Sequence, residues 1–481
     1  MRSLAVGSSV SLLFALGCSE PPPSAPPVDA DAGTDAPPDA GPKPEWASGT
    51  RLRAVVTTDG VIERFAGFHD SVLDLDCAFR PAADGKVRCE PIVFGAFAYL
   101  DAACTQRVFT QSTTCNAGPP PKWASYDDPA CGARHVIALD APTNVTSLYQ
   151  KSGTSCVAAP TGGVVVQPIA RELAPTELVA ATVDRAPRTE KLVVSYWDAE
   201  DGARGVRAVE GRGARAGTCV GDYLSDHVVR CVPAHAATAN GIFADATCST
   251  ALGSLAAFNG DECTLPPVAV RRVESDACGV HSRYFEVGAT VSGPLYESTS
   301  SCGPAAPSPL VRSNHVIGAP IADDSFAPLD YAHDERSPLA LGYTVTTGDV
   351  RLGGGNFWSS ALQKRCEPGL AADDTTRCIP DAGNAAYADA ACTVPILPVE
   401  QRPGCGVPVP TLARELLEPT ATCRNRRARI LKVGAKLASA PSYWTKSGAS
   451  CVAVSASSTD LYATTDEVPA TELVPLSRIV K

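Results

Sequence analysis

The chain has 481 residues, of which 52 are acidic and 41 basic, and its formal net charge is −11. The length suggests about three domains. The acidic balance excludes a dedicated nucleic-acid binder with a basic face, and no apolar run after residue 20 approaches the roughly 18 residues that a membrane helix needs. Nineteen cysteines with a single methionine point away from an ordinary cytosolic enzyme.

Residues 1–17 predict a signal peptide, because a basic start is followed by the apolar stretch Leu4–Leu16. The segment Ala15-Leu16-Gly17-Cys18 resembles a bacterial lipobox, although the lipobox usually has Leu where Ala15 stands. The resemblance implies that Cys18 carries two or three acyl chains, which would anchor the mature chain stably. Ser19 in place of Asp favours the outer membrane, with the body facing the periplasm or the cell surface. The alternative is a soluble secreted protein, because Ala15 and Gly17 also fit ordinary cleavage.

Residues 18–49 predict a disordered tether after the lipidated cysteine. They consist mainly of Pro, Ala and Asp with almost no large apolar side chain, so they cannot bury enough surface to fold. Proline keeps such a segment extended at about 3.1 Å per residue.

The remaining eighteen cysteines divide into three sets of six with similar spacing. The sets are Cys77, Cys89, Cys104, Cys115, Cys131 and Cys156; Cys219, Cys231, Cys248, Cys263, Cys278 and Cys302; and Cys366, Cys378, Cys392, Cys405, Cys423 and Cys451. Flanking motifs keep the same register, among them Arg-Cys-x-Pro at the second cysteine of each set and Asp-Ala-x-Cys at the third. The sequence therefore predicts three tandem repeats of about 145 residues, at 50–186, 187–335 and 336–481.

Each repeat predicts β-structure, because short apolar runs alternate with turn signals such as Asp59-Gly60 and Asp201-Gly202. The cysteines predict disulfides, because export favours oxidation and the close cysteine pairs typical of zinc sites are absent from the sequence. Six cysteines allow 15 connectivities. We favour sequential pairing, which joins Cys77 to Cys89, Cys104 to Cys115 and Cys131 to Cys156.

No recognised catalytic motif occurs in the sequence, so we predict no catalytic residue, cofactor or metal ion. The repeated carboxylates Asp101, Asp245 and Asp389 could surround a cation, but we favour a turn-capping role. The matching aromatics Tyr149, Tyr296 and Trp444 could stack on sugars, but we favour packing between strands.

The third repeat departs from the others in a basic run, and this run is our candidate ligand-binding surface. It consists of Arg424, Arg426, Arg427, Arg429 and Lys432. Such cations could hold the phosphate or carboxylate groups of an envelope polymer, although a solvated strand face is the plainer interpretation. The glycine-rich segment 353–358 is a second feature of this repeat alone. His69-Asp70 and His333-Asp334 are candidate acid/base pairs.

Taken together, the lipobox, the tether and the repeated cysteine motifs resemble the uncharacterised cysteine-rich repeat lipoproteins of bacteria. The resemblance implies no established activity. For the fold we expect an all-β chain whose repeats close into a propeller-like ring, with three separate β domains as the alternative.

For the function we expect a noncatalytic binding or adhesion module at the cell surface. Its expected partners are the membrane, through the lipid anchor, and an anionic envelope polymer or a surface protein, but not nucleic acid. The alternatives are an extracytoplasmic hydrolase or lyase with an axial site, and a structural spacer.

Overall fold

The computed structural model describes residues 43–93, 96–112, 120–127, 134–152, 155–187, 192–211, 217–226, 228–256, 266–276, 279–298, 301–305, 311–334, 339–346, 350–352, 357–400, 409–417, 427–447 and 450–481. Cys18 and the tether up to residue 42 lie outside these ranges. The described residues from Pro44 onwards form one unit. Their regular structure is β-strand with three short 3₁₀ turns, so the prediction of an all-β chain is confirmed. No described helix is long and apolar enough to cross a membrane.

The first repeat contains eleven strands and ends in a 3₁₀ turn at Pro175–Glu177. The strands are β1 (Leu52–Thr58), β2 (Glu63–Asp70), β3 (Leu75–Pro81), β4 (Val87–Pro91), β5 (Ala96–Tyr99), β6 (Arg107–Ser112), β7 (Trp123–Asp127), β8 (Arg134–Leu139), β9 (Leu148–Ser152), β10 (Ser155–Ala159) and β11 (Val164–Glu172).

The second repeat begins at the strand that follows this turn and ends in a 3₁₀ turn at Asp323–Ser325. Its strands are β12 (Ala180–Pro187), β13 (Leu192–Ala199), β14 (Arg204–Gly211), β15 (Gly217–Tyr223), β16 (Val229–Pro233), β17 (Ala236–Phe243), β18 (Ala251–Ala256), β19 (Ala269–Asp276), β20 (Gly279–Val291), β21 (Tyr296–Ser298), β22 (Cys302–Pro304) and β23 (Val311–Pro320).

The third repeat includes a 3₁₀ turn at Ala470–Glu472 and the last strand of the chain. Its strands are β24 (Ala327–Pro328), β25 (Asp330–Asp334), β26 (Leu339–Thr346), β27 (Val350–Leu352), β28 (Phe357–Ser359), β29 (Lys364–Leu370), β30 (Thr376–Pro380), β31 (Gly383–Asn384), β32 (Ala386–Tyr387), β33 (Pro395–Glu400), β34 (Leu412–Leu416), β35 (Ala428–Lys436), β36 (Ser442–Ser447), β37 (Ser450–Ser455), β38 (Thr459–Glu467) and β39 (Ser477–Val480).

Each repeat contains a module of five paired strands that follows its second cysteine, and we call it the barrel module because the strands close into a barrel in the second repeat. In the second repeat β17, β18, β23, β20 and β19 pair in that order, and β19 pairs with β17 to close the barrel. Closure leaves the barrel without a free edge strand. The third repeat has the same order, with β31 and β32 in place of β17. A hairpin whose second strand carries the sixth cysteine is attached to each barrel module.

The strands before each barrel form a second sheet that connects neighbouring repeats. Residues after each 3₁₀ turn pair first with the Arg-Cys-x-Pro strand of the preceding repeat, as Ala180 pairs with Arg88 and Pro328 with Arg230. The chain then continues into the sheet of the next repeat, where β12 pairs with β13 and β25 with β26.

The C-terminal strand β39 completes this series by pairing with β1 of the first repeat. Arg478 lies opposite Thr57, as Val183 of β12 lies opposite Trp197, so β39 occupies in the first sheet the position of β12 in the second. Pro475 forms the matching bridge to Arg377. The strand pairings therefore connect the three repeats in a closed circuit. They do not establish a propeller, because neighbouring repeats share paired strands, and the separate barrel modules fit the alternative of distinct β domains.

The repeated Arg-Cys-x-Pro arginine clamps its hairpin onto the connecting strand. Arg88 Nη1 donates to the Leu178 carbonyl oxygen at 2.5 Å, and Arg88 Nη2 donates to Asp84 at 2.7 Å. Arg230 and Arg377 make the corresponding contacts with the Phe326 and Leu473 carbonyls. This shared geometry explains why the arginine recurs in all three repeats.

The first disulfide of each repeat lies in a hydrophobic core at a junction between repeats. Cys77 and Cys89 pack with Phe68, Phe79 and Trp197 of the first and second repeats. The bonds Cys219–Cys231 and Cys366–Cys378 occupy the corresponding cores. Burial of these apolar side chains stabilises the junctions by roughly 1.5–3 kcal/mol for each large side chain.

Candidate functional site

The disulfide pattern confirms one part of the predicted pairing and corrects another. Cys77 is bonded to Cys89, as expected. The prediction of Cys104–Cys115 and Cys131–Cys156 is wrong, because Cys104 is bonded to Cys156. The pairs Cys248–Cys302 and Cys392–Cys451 repeat this connection. The six remaining cysteines of the three sets, Cys115, Cys131, Cys263, Cys278, Cys405 and Cys423, lie outside the described residues.

The physical reason for the Cys104–Cys156 bond is the hairpin attached to the barrel module. Tyr99 of β5 pairs with Tyr149 of β9, and this pairing brings the β9–β10 hairpin next to the turn that carries Cys104. The pairing is distant in sequence, so the cysteine spacing alone did not reveal it. It also places Tyr149 opposite Tyr99 across two strands. Phe243 and Tyr296, and Tyr387 and Trp444, pair in the same way.

The repeated aspartates are turn caps, as predicted. Asp101 accepts hydrogen bonds from the backbone NH groups of Ala103, Thr105 and Gln106, at 3.0, 3.1 and 2.6 Å. Asp245 and Asp389 accept the matching bonds in their own turns. Hydrogen bonds that favour the ionised form, the first of them from Thr247, lower the pKa of Asp245 below its usual range.

The basic run of the third repeat is largely engaged in ion pairs where the structure describes it. Arg429 Nε donates to Glu415 Oε2 at 2.8 Å, and Arg427 Nη1 lies 3.6 Å from Asp374 Oδ2. Lys432 is exposed. Arg424 and Arg426 lie outside the described residues, as does the glycine-rich part of segment 353–358. His333 and Asp334 lie on β25, where the structure describes only the backbone.

Two adjoining cavities offer a better-defined site at the β2–β3 hairpin of the first repeat. One cavity has a volume of about 450 Å³ and is lined by this hairpin together with β13 and β14 of the second repeat. The other has a volume of about 500 Å³ and lies between the same hairpin, β39 and the β29–β30 hairpin of the third repeat. Both volumes fall in the range typical of small-molecule sites. The cavities share the wall Ala66, Gly67, Phe68, Cys77 and Ile92.

A β-bulge shapes this shared wall. Val55 lies opposite Gly67 and Val56 lies opposite Phe65, so Ala66 is the extra residue of β2. Gly67 adopts φ +135°, a backbone conformation that glycine accepts without strain. The same bulge recurs between β13 and β14, where Arg207 is the extra residue. Bulges redirect side chains locally, and here one bulge residue from each of two repeats lines the smaller cavity.

The smaller cavity, which we call the aromatic cavity, combines a row of rings with two guanidinium groups. Phe65, Phe68 and Phe79 pack edge to face with ring centroids 5.1 and 5.4 Å apart. The Phe79 centroid lies 5.3 Å from that of Trp197. The guanidinium of Arg207 lies 5.1 Å from the Trp197 ring centroid, an arrangement that favours cation–π attraction. Arg64 is the second cation in this lining.

The larger cavity, which we call the polar cavity, carries charged groups. Asp76 and Arg478 line it and form an ion pair between β3 and the C-terminal strand. His69 Nδ1 lies 3.1 Å from Asp76 Oδ1, which places an imidazole beside this pair. The predicted partner of His69, Asp70, serves another role, because it is fully buried and accepts two hydrogen bonds from Arg51 Nε at 2.9 and 3.0 Å.

The cavity-lining hairpin is where the three repeats differ in chemistry. His69 and Asp76 face each other across β2 and β3 in the first repeat. The same paired positions hold Glu210 and Thr218 in the second repeat and Trp358 and Arg365 in the third. Burial raises the pKa of Glu210, but hydrogen bonds led by that from Arg185 outweigh burial, so its pKa lies below the ordinary value. One backbone position thus carries three different side-chain pairs.

The cavity residues were not apparent from the sequence, because residues that are neighbours in the fold lie far apart in the chain. Arg64, Trp197 and Arg207 come from two repeats, and Arg478 comes from the C-terminus. Alignment of the paired strands gives the missing signal, because these positions depart from the repeat while the cysteines and turn residues keep it. No group of three or more His, Cys, Asp or Glu side chains able to hold a metal ion occurs in the described part of the chain.

Residues 47–326 match the family of unknown function DUF7481, and this match spans more than half of the chain. The chain belongs to this family. The matched segment covers the first and second repeats and ends at Phe326, just before the connecting strand β24. It therefore includes the aromatic cavity and both bulges. No curated protein and no solved structure matches the chain.

Proposed function

We propose that this DUF7481 family protein is a lipid-anchored binding module of the cell envelope, with its ligand site at the two adjoining cavities. The observation that carries the proposal is the location of the cavities. One lies between the first and second repeats and the other between the first and third, and both are lined by the β2–β3 hairpin, whose side-chain pair differs from the matching pairs of the other repeats. The disulfides support an oxidising location, and the lipobox-like segment before Cys18 supports the anchor.

Ligand retention tests the site. The probe is purified outer membrane and cell-wall material from a strain that lacks the gene, incubated with full chain carrying Cys18→Ser. We expect this chain to be retained, and we expect Ala66→Trp to abolish retention, because Ala66 is exposed and lies in the wall shared by both cavities. Val72→Trp is the matched control, since Val72 is 69% exposed and lines neither cavity. No retention, or equal retention with Ala66→Trp, would overturn the proposal.

Metabolic labelling tests the anchor separately. Cells that express the full chain are given an alkyne analogue of palmitate. We expect the label on the wild type and on Ser19→Ala, because both keep Cys18, the proposed acceptor of the lipid. Cys18→Ser should lose the label and leave the membrane fraction. Label that persists on Cys18→Ser would contradict the proposed anchor.

A hydrolase is the second candidate, supported by the His69–Asp76 pair at the polar cavity. A carboxylate that holds an imidazole in one orientation is a common part of a general-base arrangement. The test compares wild-type chain with His69→Gln on ester and glycoside substrates. Turnover that His69→Gln removes would support the hydrolase. Equal rates for both chains, or no turnover, would reject it.

A further inference from the structure

The aromatic cavity is lined by a cation, Arg64, that forms no ion pair within 4 Å among the residues that the structure describes. Arg64 lies on β2, and its guanidinium is 5.8 Å from the ring centroid of Phe357. Its Nε atom is buried and has no hydrogen-bond partner in the described part of the chain. Burial lowers the pKa of the Arg64 guanidinium, and the charge of Glu367 offsets part of this effect. A buried Nε–H group without a hydrogen-bond partner costs free energy, and a bound anion that accepts from this group would offset part of that cost.

Arg207 adds a second positive group to the same lining. Its Nη1 atom donates to Glu210 Oε1 at 2.5 Å, and its guanidinium lies over Trp197. Glu210 also pairs with Arg185, at 2.9 Å. The carboxylate is therefore shared between two arginines, so its single charge does not balance both. Together with Arg64, this gives the described lining of the cavity two cations and no carboxylate.

The remaining side chains of the lining are apolar, and four of them are aromatic. Phe65, Phe68, Phe79 and Trp197 supply aromatic edges and faces, and no acidic side chain lines this cavity among the described residues. An aromatic wall suits the apolar face of a ring, and a guanidinium suits a carboxylate, which it can bind through two parallel hydrogen bonds. The volume of about 450 Å³ is enough for a small ring-bearing ligand.

We propose that the aromatic cavity binds a carboxylate carried on a ring with an apolar face, with Arg64 as the anchor of the carboxylate. The ring can come from an acidic sugar or from an aromatic acid. The inference rests on the proposed function and specifies the ligand of the same site. Arg64 would donate to the carboxylate, and the rings of Phe65 and Trp197 would contact the body of the ligand.

The experiment compares two acids with neutral analogues of similar shape. Galacturonate is paired with its methyl ester and benzoate with benzamide, and binding to the full chain with Cys18→Ser is measured by calorimetry and by tryptophan fluorescence. We expect at least one acid to bind about tenfold or more tightly than its neutral analogue, as a charged hydrogen-bonded contact predicts. The acid that binds more tightly shows whether the ring of the ligand is a sugar or an aromatic ring. Equal affinity within both pairs would overturn the inference, whatever the variants show.

Substitutions locate the effect. Arg64→Gln should remove the acid preference, Arg64→Lys should restore part of it, and Arg53→Gln should leave it unchanged, because Arg53 is an exposed arginine outside both cavities. Thermal unfolding of each variant confirms folding. An acid preference that survives in folded Arg64→Gln would overturn the inference. If Ala66→Trp abolishes retention on envelope material while Arg64→Gln is still retained, the result supports the proposed binding module. The same result rejects Arg64 as the anchor of the carboxylate.

Discussion

The Arg-Cys-x-Pro hairpin and the β2–β3 hairpin share strand β3, but the first keeps its side chains in all three repeats and the second does not. The first is the same in all three repeats, because the arginine, its aspartate and the disulfide join each repeat to the connecting strand. The second keeps its register and its bulge in the first two repeats, yet its outward side-chain pair changes from His69–Asp76 to Glu210–Thr218. Residues that hold the fold recur, whereas the side-chain pair at this hairpin differs between the repeats, and Asp76 of that pair lines the polar cavity.

The largest expected effect comes from the second disulfide, which is also the sharpest correction of the sequence prediction. Replacing both Cys104 and Cys156 with Ala should lower the free energy of unfolding by about 4 kcal/mol, because the bond closes a loop of 52 residues. Urea unfolding measures this change. Tryptic mapping of the non-reduced wild type should give a Cys104–Cys156 peptide. A Cys104–Cys115 peptide would contradict the structure.

The clamp arginine should follow as the next largest effect. Arg88→Ala removes a buried guanidinium that contacts Asp84 and the Leu178 carbonyl, so we expect a loss of about 3 kcal/mol in chemical denaturation. Arg230→Ala and Arg377→Ala should cost similar amounts. Arg53→Ala serves as the exposed control and should change stability by less than about 0.5 kcal/mol. Strongly unequal losses of unfolding free energy for the three variants would contradict an equivalent role of the arginine in the three repeats.

The C-terminal strand tests whether the circuit of strand pairings is closed. Deletion of residues 477–481 removes four paired residues and the Lys481–Glu63 ion pair, whose atoms are 2.5 Å apart. We expect a local loss of about 2 kcal/mol. Hydrogen exchange should show faster exchange at Val55 and Val56 and unchanged exchange in β17–β20. Unchanged protection of β1 would show that β39 does not close the circuit.

Substitutions in the His69–Asp76 pair should reduce ligand binding while leaving stability nearly unchanged. His69→Gln and Asp76→Asn alter a partly exposed pair, so each should change the free energy of unfolding by less than about 1 kcal/mol. We expect both to reduce retention on envelope material, while Trp358→Phe at the matching position of the third repeat should not. Equal retention by all three variants would place the ligand outside the polar cavity.

The smallest effect concerns pH. The Arg171 side chain and the Ala174 backbone NH lower the pKa of Glu177 to about 2. Since the folded pKa is depressed, the contribution of Glu177 is present above its unfolded value and is lost as pH falls toward about 2. The melting temperature of Glu177→Gln should therefore lie below that of the wild type at pH 7 and approach it near pH 2. Glu472→Gln, at the matching turn, is the control. A constant difference across this range would contradict the assignment.

Local pattern predicted the repeated framework well. The cysteine spacing indicated three repeats, the turn signals indicated strands, and Asp101 was assigned to a turn that the structure shows. The residues Thr-Glu-Leu-Val occur at 176–179 and again at 471–474, and β39 follows the second copy in the position of β12. These features depend on neighbours in the chain, which the sequence displays directly.

The parts that sequence reasoning missed depend on tertiary contacts. The Cys104–Cys156 bond follows from strand pairing between Tyr99 and Tyr149. The cavities require β2 to meet strands of both other repeats. The basic run looked like a binding face because its acidic partners, among them Glu415, lie on another strand. The positive charge of this run in the sequence is therefore partly neutralised in the folded protein.

The most direct test of the account is hydrogen–deuterium exchange of the full chain with Cys18→Ser, with and without the retained envelope material. The account predicts slower exchange confined to the β2–β3 hairpin, β13–β14 and β39, and no such change in Ala66→Trp. Protection centred on Arg427–Lys432 or on the Cys392–Cys451 hairpin, with the β2–β3 hairpin unchanged, would contradict the central claim that the diverged cavities bind the ligand.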